Sequence, residues 1–439
     1  MSWVFFTAAL VGALFTLNAL RPPSRFWLVQ GPAFFASWLT GELAPHHLLW
    51  QAAATAAFVW AGALVGWQGR SALGLVVISW VGLAWLHTES RRAQKTMEGA
   101  LREALGDDYR AQIAVDLAAT LDEPMALRQR MMPLPVRDRR VERIGNIPFH
   151  EAGGRVLKLD VYRSRTRPTR APVLLQIHGG GWIVGAKEQQ GLPLMTRLAA
   201  HGWVCVAASY RLSPRATFPD HLIDVKAAIR WIREHGAEYG ADPDFIVISG
   251  GSAGGHLSAL AALTPNDPEY QPGFEDVDTR VQGCVPFYGI YDFTDRRRHW
   301  KRSLLLPMLE RVIMKRRRAE DLSAFDRASP MSRVRADAPP FLVIHGTRDT
   351  LVPIDDARSF VEMLRAVSNE PVAFAEVPGA QHAFEVFPSE RTAHAICGVE
   401  RFIDWVYSRH RQTRALPGAA TTTASDEREN STRGAAHSA

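Results

Sequence analysis

What most limits how this chain folds is where its charge is missing. From Met1 to Thr88 the only Lys, Arg, Asp or Glu residues are Arg21, Arg25, Glu42 and Arg70, whereas the 439 residues together carry 51 basic and 45 acidic side chains. A stretch of that composition has to be kept from water, by protein or by lipid. Residues 3–20 form an uncharged apolar run of about the length that crosses a bilayer; 48–67 and 71–87 are two more, parted by a short loop holding Arg70. Residues 26–43 are interrupted by Gly31-Pro32 and read as a weaker segment lying at the interface. Trp3, Trp27, Trp38, Trp50, Trp60, Trp67, Trp80 and Trp85 are dense here, several near span ends, where amphipathic rings favour the membrane–water boundary. A signal peptide fits poorly, because no basic leader precedes the first run and no small-residue cleavage site stands before Arg21. Residues 1–88 are expected to be a membrane-spanning helical segment.

Arg21 and Arg25 follow the first run, and Arg91, Arg92 and Lys95 follow the last. The positive-inside rule puts both clusters on the cytoplasmic face, which three crossings satisfy and four do not. The expectation is a multi-pass membrane protein with the bulk of the chain on the cytoplasmic side and membrane lipid as a partner. The net charge of +6 alone allows a nucleic-acid partner, but no nucleic-acid-binding motif accompanies it. Basic residues beside apolar spans serve more simply at anionic lipid surfaces. The three cysteines, Cys205, Cys284 and Cys397, are far apart and read as free thiols without metal-ligand spacing.

After residue 88 the pattern changes. Residues 89–130 are charged and helical, a linker leading off the membrane, and a larger domain spans 131–412. Strand-like runs at 156–162, 173–178, 204–208, 245–249, 281–288, 341–345 and 372–377 alternate with helical patterns at 193–201, 221–235, 253–263 and 357–367. Such alternation predicts an α/β domain, a mostly parallel central sheet with helices on both faces. Residues 413–439, rich in Thr, Ala, Ser and charge, are expected to be a disordered tail.

Gly250-Gly251-Ser252-Ala253-Gly254 is a G-x-S-x-G turn between the strand-like Phe245-Ile246-Val247-Ile248-Ser249 and a helix former. A strained turn there lifts a serine hydroxyl above the sheet, so Ser252 is the candidate nucleophile. Upstream, His178-Gly179-Gly180-Gly181-Trp182 follows an apolar strand. Glycines let backbone N–H groups approach a substrate oxygen, so Gly179, Gly180 and Gly181, with the Ala253 N–H, are the candidate oxyanion hole. His178 is expected to hold that loop. Downstream, the strand at 341–345 leads to Gly346-Thr347-Arg348-Asp349, and Val377-Pro378-Gly379-Ala380-Gln381-His382 follows the next. Asp349 is the candidate acid ahead of its neighbours Asp355 and Asp356, which enter the next helix, and His382 is the candidate base ahead of His394.

HGGGW at 178–182 with GGSAGGH at 250–256 resembles the hormone-sensitive-lipase-like esterase family, as do Tyr210-Arg211-Leu212-Ser213-Pro214, HGTRDTLVP and GAQHAF. The resemblance covers about residues 155–406. It implies an α/β-hydrolase fold, carboxylester hydrolysis through an acyl-enzyme, and neither cofactor nor metal. One departure stands out: many members have Asp immediately before the nucleophile, where this chain has Gly251. The GxSAGGH run is also similar to isoprenylcysteine methylesterases and kynurenine formamidase-like hydrolases. Residues 292–330 interrupt the core pattern and are expected to form a helical cap, with an apolar run at 304–314 followed by Lys315-Arg316-Arg317-Arg318.

The expectation is a membrane-anchored serine carboxylesterase or lipase acting on small or lipid-like carboxylic esters with an apolar acyl group. An amidase or deacetylase would use the same triad, and a catalytically silent scaffold would lack part of it. A transporter is disfavoured, since the N-terminal runs hold a single acid, Glu42, and no paired charges.

Overall fold

Strands form where β-branched and aliphatic residues run together, and helices where apolar residues recur at three- and four-residue spacing. The computed structural model, which describes residues 1–23, 27–132, 134, 136–300 and 305–415, sorts the chain accordingly. One sheet holds eight strands: β1 (Val141–Ala152), β2 (Arg155–Ser164), β3 (Ala171–Ile177), β4 (Val204–Ala208), β5 (Ala241–Gly251), β6 (Gly283–Phe287), β7 (Phe341–Gly346) and β8 (Val372–Val377). Their order is β1-β2-β4-β3-β5-β6-β7-β8. Pairing is antiparallel for β1–β2 and β2–β4 and parallel from β4 through β8. β1 has no counterpart among the strand-like runs. Its sequence carries Gly145, Asn146 and Pro148, and its register slips between Ile144 and Ile147 and again at Pro148, as an edge strand tolerates.

Nine longer helices among the described residues are α1 (Ser2–Leu20), α2 (Trp27–Glu42), α3 (Ala44–Trp60), α4 (Gly66–Leu105), α5 (Leu192–Ala200), α6 (Asp220–His235), α7 (Ala253–Leu263), α8 (Ile354–Val367) and α9 (Glu390–Ala415). Alternate side chains of β3 serve opposite faces of the sheet. Val173, Leu175 and Ile177 join a core with Leu222 of α6, Leu257 of α7 and Phe360 of α8. Leu174 joins the other core, with Leu198 of α5 and Val399 and Phe402 of α9.

That second core also takes in Ala93, Met97, Leu101 and Leu105 of α4. The boundary expected at residue 88 is therefore absent as a break in structure: α4 runs through it for 40 residues, about 60 Å. The reason is local, since Glu89-Ser90-Arg91-Arg92-Ala93-Gln94-Lys95 supplies helix formers, and the stop comes at Gly106, where φ is 95°. The first part of the stretch expected to be a linker is thus a covering helix of the sheet.

The other half of α4 packs with α1 and α3. Ser2 Oγ donates to the Val65 carbonyl at 2.9 Å, and Thr16 Oγ1 lies 2.8 Å from Ser79 Oγ, so α1 and α4 run in the same direction. α3 runs the opposite way beside them, with Phe58 stacked on Phe5 at 5.1 Å and Ala44 clustered with Ala19 and Leu83. The apolar run at 48–67 is split, because α3 ends at Trp60 and a turn through Gly62, φ 74°, leads into α4. α1 and α4 are long and apolar enough to cross a membrane, and their apolar windows are only 28% and 33% buried, unlike helices of a protein core. Arg25 and Phe26 lie outside the described residues, as does 416–439 of the expected tail; residues 413–415 continue α9.

The expected cap at 292–330 is mostly turns, with short helical pieces at Leu305–Met308, Leu309–Ile313 and Leu322–Arg327; residues 301–304 lie outside the described residues. Leu309, Ile313 and Met314 point inward, and Arg316 and Arg318 are engaged by Asp321 and by the Thr294 carbonyl. The apolar–basic run is therefore no continuous amphipathic helix.

Met97 is fully buried between α4 and α9, its side chain against Gly398. Met97→Ala is expected to destabilise the detergent-solubilised chain by about 2–5 kcal/mol, read from its denaturation midpoint. An unchanged midpoint would detach α4 from the core.

Candidate active site

β5 ends in the middle of the sheet and α7 starts at once, so one residue must make the whole turn. Ser252 makes it, with φ 58° and ψ −119°, its N–H donating to the Phe287 carbonyl at 2.9 Å. The turn is possible because its neighbours lack side chains: a Cβ on Gly254 would lie 2.2 Å from the Ile177 carbonyl oxygen. A Cβ on Gly251 would lie 2.5 Å from Tyr288 Oη, so with the phenol in this place no side chain fits before the serine.

β7 and β8 deliver the other two groups. His382 Nδ1 is 2.7 Å from Asp349 Oδ2, which leaves Nε2 as the ring nitrogen available to Ser252, and His382 and Ser252 line one cavity. Asp349 Oδ1 accepts the Leu351 and Val352 N–H groups at 2.9 and 2.8 Å, and His345 Nε2 is 3.2 Å from Oδ2. Burial alone would raise the Asp349 carboxyl, but the charge of His382 and the hydrogen bonds from His345 and His382 outweigh it and hold it well below the usual carboxylate range. The competing acids are otherwise engaged. Asp355 pairs with Arg358 at 2.9 Å, and buried Asp356 accepts the Tyr291 N–H at 2.7 Å. His394 is 3.4 Å from Glu390.

The glycine loop after β3 borders the same cavity. Gly179 is a correction to the sequence expectation: its N–H donates to Gln190 Oε1, so it cannot also serve an oxyanion. Among the described residues the N–H groups of Gly180 and Gly181 have no such partner, and Ala253 opens the first turn of α7, where N–H groups point outward. His178 holds the loop, as expected. Its Nδ1 is 2.8 Å from the Gly179 carbonyl, its ring stacks on Tyr210 at 4.4 Å, and burial pushes its pKa down to about 4. Among the described residues no group of three or more His, Cys, Asp or Glu side chains is placed to hold a metal ion.

Several participants had no sequence signal strong enough to single them out. Gln381 binds the acid and base loops together: its Oε1 accepts the Thr350 N–H at 2.8 Å and the His382 N–H at 2.9 Å. Its Nε2 donates to Ser37 Oγ of α2 at 2.9 Å. Trp38 Nε1, also from α2, donates to the Ala383 carbonyl at 2.9 Å. Tyr288 lies 4.5 Å from the His382 ring and Phe34 meets it edge-on at 6.2 Å. Adjacency to His382 within GAQHAF was the available hint for Gln381; the residues of α2 are some 345 positions away from their partners and gave none.

A family model described as BD-FAE matches residues 159–364. The probable carboxylic ester hydrolase LipM of Mycobacterium tuberculosis is 44% identical over 429 residues, 94% of this chain and 95% of LipM. That match takes in most of the N-terminal helices as well as the sheet domain. Esterase LipQ of the same organism is 40% identical over 342 residues, 76% of this chain and 79% of LipQ. A solved structure, a truncated form of carbohydrate esterase from gut microbiota, shares the fold with a TM-score of 0.50 over 62% of this chain and 96% of that chain, at 24% identity. Sheet, elbow and relatives define an enzyme, a carboxylic ester hydrolase with the α/β-hydrolase fold. Within that class, the chain belongs to the hormone-sensitive-lipase-like family of carboxylesterases.

Behind His382, burial pushes the Glu385 carboxyl up from 4.5 to about 7. The folded chain therefore keeps a proton that the unfolded chain releases. Its stability contribution is full below pH 4.5 and lost as pH rises through 7. Glu385→Gln is expected to lose less stability than wild type between pH 4.5 and pH 8, measured by denaturation at both; parallel pH slopes would contradict the assignment.

Proposed function

We propose that this chain is a membrane-anchored serine carboxylesterase, hydrolysing small or lipid-like carboxylic esters through an acyl-enzyme on Ser252. The observation that carries the reading is the 2.7 Å Asp349–His382 contact, with His382 and Ser252 facing one cavity. His382 Nε2 takes the Ser252 proton as Oγ attacks the ester carbonyl. The Gly180, Gly181 and Ala253 N–H groups receive the oxyanion, each such donor contributing about 2.7–4 kcal/mol to the transition state. Collapse expels the alcohol, which takes the proton from His382. Water, deprotonated by the same imidazole, then cleaves the acyl-serine bond and returns the acid and the free hydroxyl. Asp349, held ionised, fixes the tautomer with the proton on Nδ1 and stabilises the imidazolium that forms.

The membrane part of the proposal rests on the outer faces of α1, α3 and α4. Leu14, Phe15, Trp60, Val77, Ile78 and Val81 stand exposed there, an apolar surface that lipid would cover. α1 and α4 run one way and α3 the other, so three crossings bring Arg21 and the Arg91–Arg92–Lys95 cluster to the same end of the bundle, the end that carries the hydrolase domain. The positive-inside rule then places the domain on the cytoplasmic side.

Wild type should hydrolyse p-nitrophenyl esters, Ser252→Ala should lose at least about 10³-fold in kcat, and Asp349→Asn about 10⁴-fold. Retained turnover in Ser252→Ala would end the serine mechanism, and turnover of matched amides but not esters would make the enzyme an amidase. The full chain should stay with membranes through alkaline carbonate extraction; its release to the supernatant would rule out integral anchoring.

A further inference from the structure

The cavity that holds Ser252 and His382 measures about 1040 Å³, above the range of roughly 300–1,000 Å³ that suits drug-sized ligands. An acetyl ester would leave most of it empty. Among the described residues no Asp, Glu, Lys or Arg lines it, so nothing there would neutralise a charged acyl group. One wall comes from the hydrolase domain, with Leu305, Met308 and Val352. Another part of the lining is Phe34, Phe35 and Trp38, and all three belong to α2, which lies in sequence between the helices α1 and α3 of the apolar segment.

α2 is fastened both ways. Toward the bundle, Asn18 Nδ2 of α1 donates to the Ala33 carbonyl at 2.8 Å. Toward the hydrolase domain, Trp38 and Ser37 bond the His382 loop, and Glu42 forms a buried ion pair with Arg391 and accepts from Ser389 Oγ at 2.8 Å. Phe34 is 7% exposed against the site, whereas Phe35, also on the cavity, is 57% exposed, with Leu39 exposed one turn on. An aromatic edge that is exposed on one side and faces the catalytic cavity on the other marks the way in.

We infer that α2 is the acyl-binding wall of this esterase, and that the substrate is a long-chain acyl ester dissolved in the bilayer, which enters past Phe35 without crossing water. The inference rests on the serine-esterase reading above. Its physical basis is the partition of hydrocarbon: each methylene exposed to water on the way in would lower the population of the transferring ester about fourfold. A route that opens at lipid level removes that barrier, and a wall of three aromatic rings accepts a chain without demanding a fixed polar group.

The full chain reconstituted in phosphatidylcholine vesicles tests this with p-nitrophenyl butyrate and p-nitrophenyl palmitate. Phe35→Ala is expected to lower the palmitate-to-butyrate ratio of kcat/KM at least tenfold, and Phe35→Leu to restore most of it. Palmitate ester placed in the enzyme's own vesicles should turn over at least tenfold faster than the same ester in a separate vesicle population. An unchanged ratio, or equal rates from the two populations, would overturn the inference. Failure of the esterase reading would look different: wild type would leave both esters intact, or Ser252→Ala would hydrolyse them as wild type does.

Discussion

Everything in this molecule is held in register by one uninterrupted helix. α4 starts among apolar helices and ends, about 60 Å on, inside the core of the hydrolase domain, with no proline or break to let the two ends move apart. Met97, Leu101 and Leu105 bury against the sheet, while Val76, Ser79 and Leu83 pack within the N-terminal bundle. Charge reinforces the junction: Arg348, on the loop that carries the acid, pairs with Glu89 of α4 at 2.7 Å, and Glu98 gathers Arg102, Arg110 and Arg401. Arg110 is half-exposed, so that cluster directs packing more than it stabilises. A domain tied this way has a fixed height and a fixed orientation relative to the bundle.

That fixed geometry is what lets a helix from one part of the chain complete a site in another. Gln381 is the node. Its amide oxygen spans the acid loop and the base loop, and its amide nitrogen reaches α2. Since both loops follow parallel strands, β7 and β8, whose C-terminal ends lie side by side, a single amide suffices to couple them. The buried Glu42–Arg391 pair holds the far end of α2 in the same way. Such a pair costs desolvation, and its use is in specifying one docking position rather than in adding net stability.

The parallel sheet, its flanking helices and the positions of Ser252, Asp349 and His382 were legible in the sequence because each depends on local order: an aliphatic run, then glycine or a small turn, then a helix former. Failures came where the decisive contact is remote. Gly179 reads as an oxyanion donor until Gln190, eleven residues on, is seen to occupy its N–H. β1 is hidden by Pro148 and Asn146, whose cost an edge strand with bulges absorbs. The break expected after residue 88 follows from composition, but a change of composition does not by itself end a helix, and α4 continues. The role of α2 is beyond any local rule, since its partners are some 345 residues away.

The close approach of Gly251 to Tyr288 limits which side chains this site admits before the serine. The space before the serine is shared by two positions, and in this chain the phenol has taken it. With Tyr288 placed as it is, any side chain at 251 would have to displace the phenol. An acid before the serine would therefore come with a smaller residue at 288, and the ring that now lies against His382 would be lost with it.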